Sequence, residues 1–186
     1  LIDNLAKSYP KLVEELVPTV LSLGTIMRVL QNLLKEGVSI RDLRTILETM
    51  ADWAAATHDT DVLTEYVRHS LARTISSDLA VNGIIPVITL ARPAEEPIRG
   101  SIQHQETGSY LAIDPIIAQR ILDSIGRCIP LFEGGSRPVL LSAPQIRPYV
   151  RSLTERYYPA LAIISHNEVV PNLKIRSLGT VTLDAS

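Results

Sequence analysis

Asn82-Gly83-Ile84-Ile85-Pro86-Val87-Ile88-Thr89-Leu90 is the stretch on which the fold turns. Before it, apolar residues recur at the three- and four-residue spacing of helix faces. From Ile84 to Leu90 the chain is rich in β-branched residues and bounded by turn formers, the pattern of a buried strand. The change of period divides the chain near residue 80.

Toward the N-terminus the sequence predicts helices throughout. Leu1 to Leu5 and Leu12 to Val17 carry helical spacing, broken at Tyr9-Pro10 and closed by Pro18. Ile26, Val29, Leu30, Leu33 and Leu34 mark one face of an amphipathic helix, and Gly37 offers the left-handed position at which it can stop. Ser39 is then expected as N-cap, with Asp42 three residues on. Ile40, Leu43, Ile46, Leu47, Met50 and Trp53 should point inward, and Arg41, Asp42, Arg44, Glu48 and Asp52 outward. The Asp59-Thr60-Asp61 cluster caps a further helix with a buried stripe of Leu63, Tyr66, Val67, Ser70, Leu71, Thr74 and Ile75.

Toward the C-terminus strands and helices alternate. Arg92 to Gly100 reads as a loop running into a short helix near Ile98 to His104, and Gly108 precedes a strand at Tyr110 to Ile113. Asp114-Pro115 is an N-cap followed by a proline that needs no donor, opening a helix with Ile117, Ile121, Leu122 and Ile125 inward. Strands are expected at Pro138–Ser142, Leu161–Ile164 and, as an edge or hairpin arm, Leu173–Leu183. A helix lies between the first two, with Ile146, Tyr149, Val150, Leu153 and Tyr157 on its apolar face. The fold class is therefore α+β, or mixed: an all-helical subdomain over 1–80, then an α/β subdomain over 81–186 with a small sheet flanked by helices.

Composition narrows the function classes. In 186 residues, 18 Lys and Arg face 20 Asp and Glu, a formal charge of −2, so the cationic excess that neutralises phosphates is missing. One cysteine allows no internal disulfide and no multi-cysteine zinc site, which fits a reducing, cytosolic setting. The longest apolar run, Ile84 to Ala91, is too short to cross a bilayer as a helix. The chain opens at Leu1 without methionine and reads as part of something longer.

Motifs for chemistry are wanting. His58, His69, His104 and His166 lack metal-ligand spacing with one another or with Cys128. Gly134-Gly135-Ser136-Arg137-Pro138 lacks the second glycine of a nucleophile elbow and precedes a strand when that motif must follow one. There is no phosphate-binding or dinucleotide fingerprint. Glu14-Glu15 and Glu95-Glu96 read as solvated pairs, and Cys128 as a small core thiol. No catalytic, cofactor-binding or metal residue is assigned, and no enzyme activity is expected.

Arg28 to Trp53 has the length of a helix-turn-helix, which keeps a DNA-binding regulator as the remote alternative class. The outer face of its second helix mixes Arg41 and Arg44 with Asp42, Glu48 and Asp52, and those carboxylates would oppose a phosphate backbone. A mixed-charge face suits contact with protein.

Several separated blocks, in consistent order, resemble the C-terminal cytosolic region of the type III export-gate family. They are Lys11 to Pro18, Val29 to Ala54, Leu63 to Arg68, Pro138 to Ser142, Ile146 to Tyr149, and Arg156 to Ser165 with Asn167-Glu168. The flagellar branch is the nearer in Leu63–Arg68 and Ser142–Glu168; the injectisome, or virulence, branch is the alternative. The resemblance implies a fragment of a bacterial inner-membrane protein, lying on the cytoplasmic side. It implies a nine-fold homo-oligomeric ring that docks export chaperones with their cargo and orders their delivery. Further implied partners are other export-apparatus proteins, including the ATPase complex, with no cofactor and no nucleic acid. Ring contacts in the family involve the helical subdomain, which makes Arg41, Asp42, Arg44 and Glu48 the candidate protomer contact. The family's chaperone-docking site lies upstream of Leu1. The isolated piece is expected to be monomeric in dilute solution, because weak ring contacts need tethering.

Overall fold

The computed structural model describes residues 2–17 and 20–183. The chain divides into two compact units, Leu1–Ile75 and Ser76–Ser186. The sequence reading draws its boundary at 80/81, where the periodicity changes. The structural division falls inside a helix, Ala72–Leu79, because that helix belongs in part to each unit.

In the first unit α1 (Ile2–Ser8) and α2 (Pro10–Leu16) meet at Tyr9, with Pro10 in the first turn where its missing N–H costs nothing. The expected roles of Leu1 and Pro18 lie outside the described residues. Next comes α3 (Leu23–Lys35), capped by Ser22, whose hydroxyl accepts from the Thr25 N–H, and Gly37 follows it at φ 71° as the sequence requires. Then come α4 (Leu43–Trp53), α5 (Thr60–Ser70) and α6 (Ala72–Leu79). Asp42, not Ser39, caps α4: its carboxylate accepts from the Thr45 N–H at 3.1 Å, so the helix begins three residues later than Ser39 would start it. Val29, Leu33, Ile46, Met50, Leu63 and Val67 are fully buried, each worth about 1.5–3 kcal/mol of transfer free energy. The stripe on α5 is displaced from the expected one: Thr64 and Arg68 are buried, whereas Ser70 is exposed and Tyr66 half-buried.

The second unit holds β1 (Ile84–Leu90), α7 (Arg92–Gly100), the hairpin β2 (Ile102–Gln105) and β3 (Gly108–Leu111), α8 (Pro115–Cys128), β4 (Val139–Ser142), α9 (Arg147–Thr154), β5 (Ala162–Ser165) and β6 (Lys174–Val181). The main sheet runs β5-β4-β1-β6 with every neighbouring pair parallel, and β2 with β3 forms a separate antiparallel ribbon. Helices supply the crossovers that parallel strands need.

Residues 92–100 are helical where a loop was expected, and 102–105 extended where a short helix was expected. Pro93 sits in the first turn of α7, and Arg92 with Glu96 and Glu95 with Arg99 form ion pairs one turn apart, so the charges that look like a loop stabilise a helix. The ribbon then follows from the two-to-two pairing of Ile102 with Leu111 and Gln105 with Gly108.

One edge of the sheet is sealed by side chains. The Ala162 N–H donates to Pro138 across to β4, so Leu161 and Ile163, one residue either side, turn their backbone groups outward. Arg147 Nη1 donates to the Ile163 carbonyl at 3.1 Å, and Arg151 Nη1 to that of Leu161 at 3.4 Å. The spacings match: four residues of α9 rise ~6 Å and two residues of strand ~6.6 Å. Beyond them the buried Glu168 carboxylate accepts from the outward Ser165 N–H at 2.9 Å, completing a capping box.

On α8, Tyr158 Oη donates to the Leu122 carbonyl at 3.0 Å, and a Cβ added at Gly126 would stand 2.6 Å from that hydroxyl. Gly126→Ala should therefore cost about 1 kcal/mol, the clash outweighing the gain of up to ~1 kcal/mol in helix propensity. In a Tyr158→Phe background, with the hydroxyl gone, the same alanine should be neutral or stabilising. Urea midpoints of the four proteins test this, and equal effects in both backgrounds would contradict it.

Candidate functional site

The residues that the sequence singles out gather at the start of α4. Asp42 is committed to capping: besides the Thr45 N–H, its second carboxylate oxygen accepts from Thr45 Oγ1 at 2.6 Å. Arg44 Nε lies 2.8 Å from Glu48 Oε1, one turn on, with both side chains at least half exposed. The hydrogen bond and charge of Glu48 hold the Arg44 guanidinium above its usual range, with Tyr9 and Asp42 adding smaller contributions. Arg41 is exposed, just before the cap. The four residues thus form one exposed mixed-charge surface, in which Arg41, Arg44 and Glu48 can meet a partner and Asp42 fixes where the helix begins.

Trp53 departs from its expected inward position. It stacks on Tyr66 with ring centroids 3.7 Å apart and planes 6° from parallel, yet remains 38% exposed. The helical stripe through Met50 predicts a buried residue at 53. Trp53 is the last residue of α4, where the helix passes beyond the core and only the ring of Tyr66 covers it. Its size and the acidic residues around it in sequence were the available signal.

Elsewhere the chemistry-bearing residues are structural. Burial raises the Cys128 thiol above its ordinary pKa, and its Sγ lies 3.9 Å from the Thr180 carbonyl. His104 bonds Ser109 across the β2–β3 ribbon. Glu95 and Glu96 each pair with an arginine of α7. Asp114 caps α8 through the Ile116 and Ile117 N–H groups. Among the described residues no three His, Cys, Asp or Glu side chains are grouped to hold a metal, and no helix is long and apolar enough to cross a membrane.

A two-unit chain of this order, with a helical unit followed by a parallel sheet flanked by helices, is the architecture of type III secretion export-gate C-terminal domains, and the comparisons agree. The FHIPEP family profile matches residues 1–174. The flagellar biosynthesis protein FlhA of Bacillus subtilis is 43% identical over 185 residues, 98% of this chain and 27% of that protein. The structure of the Chlamydia pneumoniae CdsV and CdsO protein complex superposes with a TM-score of 0.89 at 41% identity, over 97% of this chain and 54% of that one. The cryo-EM structure of nonameric SctV-C from enteropathogenic E. coli (EPEC) gives a TM-score of 0.85 at 36% identity, over 97% of this chain and 54% of that one. The chain belongs to the FHIPEP family. It spans about a quarter of the length of the flagellar relative, and the family is the one its sequence blocks resemble.

Proposed function

We propose that this chain is the cytosolic C-terminal part of a type III protein export gate in the flagellar branch. It helps form a ring that docks export chaperones with their cargo and orders delivery, without catalysing a reaction. The observation that carries this reading is the likeness over 97% of the chain to a domain solved as a nonamer. The whole gate would sit in the bacterial inner membrane, with this segment on the cytoplasmic side and export-apparatus proteins, the ATPase complex among them, as partners. The 43% identity to a flagellar protein favours that branch, and the 41% identity to CdsV favours the injectisome branch as a second reading. Gates carrying this chain in place of their own last quarter, expressed in strains lacking either gate, separate the two. Restored motility supports the flagellar reading, and restored effector secretion without motility replaces it.

Arg41, Arg44 and Glu48 are proposed as one side of the protomer boundary. Charge reversal there, Arg41→Glu with Arg44→Glu, should leave the fold intact because both side chains are exposed. It should abolish ring assembly and secretion in the full gate. Unchanged assembly, read by native gel of extracted gates, would remove this surface from the boundary. The isolated chain should be monomeric at micromolar concentration by light scattering.

A further inference from the structure

A ring closed by rotation is built from heterologous contacts, in which two different faces of one copy meet. The start of α4 supplies one face, and the structure offers a second. Trp53 lies nine residues beyond Arg44 on α4, which places it about 180° round the helix and ~13 Å along it, on the opposite side. There the Trp53–Tyr66 stack stands partly open, and Val62, one turn before Tyr66 on α5, is 40% exposed. From Thr45 to Val67 the sequence holds five carboxylates and no Lys or Arg. Glu48 is engaged by Arg44, Asp61 accepts from Asn32, and Asp59 caps α5. Asp52 and Glu65 remain, each directly preceding one of the two stacked aromatic residues.

We infer that the Trp53–Tyr66 stack, with Asp52 and Glu65 beside it, receives Arg41 and Arg44 of a second copy of this chain. This rests on the ring reading above and names the receiving face. The chemistry is matched at each point. A guanidinium over the open face of an indole gains a cation–π attraction, and carboxylates at the rim fix its approach. Trp, Tyr and Arg are the residues that carry most of the binding energy in protein interfaces. Each copy carries both halves, so the contact repeats head to tail.

The test uses the 186-residue chain with Cys128→Ser and two new cysteines, Ser39→Cys near Arg41 and Ala55→Cys just past Trp53, oxidised at about 1 mM, comparable to the effective concentration that tethering supplies. A ladder of disulfide-linked species beyond the dimer is expected, and each single-cysteine chain should give none. Arg41→Glu with Arg44→Glu should cut the ladder at least tenfold. Asp52→Arg with Glu65→Arg should do the same, and all four together should restore it, with circular dichroism confirming the fold of each. If the arginine changes stop assembly by light scattering but the carboxylate changes do not, the receiving face is wrong and the ring reading stands. Ser39→Cys chains that link to each other indicate a two-fold contact and overturn the inference. Binding of a basic peptide at Trp53 with no self-association at any concentration overturns the inference together with the ring reading.

Discussion

Arg147→Ala is expected to destabilise the α/β unit by about 3–5 kcal/mol and to turn a monomeric chain into one that self-associates as its concentration rises. Arg147 is 1% exposed, and its Nη1 is bonded to the Ile163 carbonyl. Alanine removes a charge-assisted hydrogen bond, leaves that outward carbonyl without its guanidinium, and opens a void where a long side chain had been. A loss of that size is a large part of the ~5–15 kcal/mol by which domains are stable. The second effect is separate from the first. An uncapped parallel edge offers a row of backbone donors and acceptors to any other strand, and the nearest supply is another copy of the chain.

Arg147→Met separates the two contributions, because it fills most of the volume but donates nothing. It should recover part of the stability and none of the protection against association. Arg92→Ala serves as the comparison, since that arginine is largely exposed and its pairing with Glu96 is solvent-screened. Urea melts followed by circular dichroism, with light scattering over a hundredfold range of concentration, give both readouts. A chain carrying Arg147→Ala that keeps its parent's midpoint and stays monomeric would show that β5 needs no cap.

The capped edge also marks a limit of what the sequence can show. Strand β1, the α8 start at Asp114-Pro115, β4 and the Asp59 cap were all legible, because each is set by local chemistry: β-branched content, a cap, a proline that needs no donor. Pairing of Arg147 with β5 was not, because it joins residues sixteen apart through a spacing match between a helix and a strand. A buried arginine also looks in sequence like any exposed one. The α7 helix was missed for a related reason, its two prolines outweighing ion pairs that act only once the helix exists. At the candidate surface, the outward phase of Arg41, Arg44 and Glu48 was readable from helical spacing. The exposure of Trp53 was not, since spacing gives the direction of a side chain and not whether the core extends beneath it.

Arg68→Met should have a comparable effect in the helical unit, with a site-specific readout. Arg68 on α5 is 2% exposed, and its Nη1 lies 3.2 Å from Glu36 Oε2, just past the end of α3, where the two side chains are 3% and 12% exposed. Breaking such a pair from one side leaves a carboxylate in a poorly hydrated place, a cost of about 3–5 kcal/mol. Trp53 is the only tryptophan in the chain and stands in this unit, so its fluorescence follows the unfolding of this unit. Its urea transition should move to clearly lower denaturant in Arg68→Met. Glu36→Leu added to Arg68→Met should return at least half of the loss, because removing both charges also removes their desolvation cost. The neighbouring bond from Asn32 Nδ2 to Thr64 Oγ1, at 3.1 Å, still ties α3 to α5 in every variant, so the helices keep their register while the ion pair is varied. A Trp53 transition that stays at the parent's midpoint in Arg68→Met would mean that the pair contributes nothing net. Failure of the double variant to recover would mean that Arg68 holds the unit through its other contacts and not through Glu36.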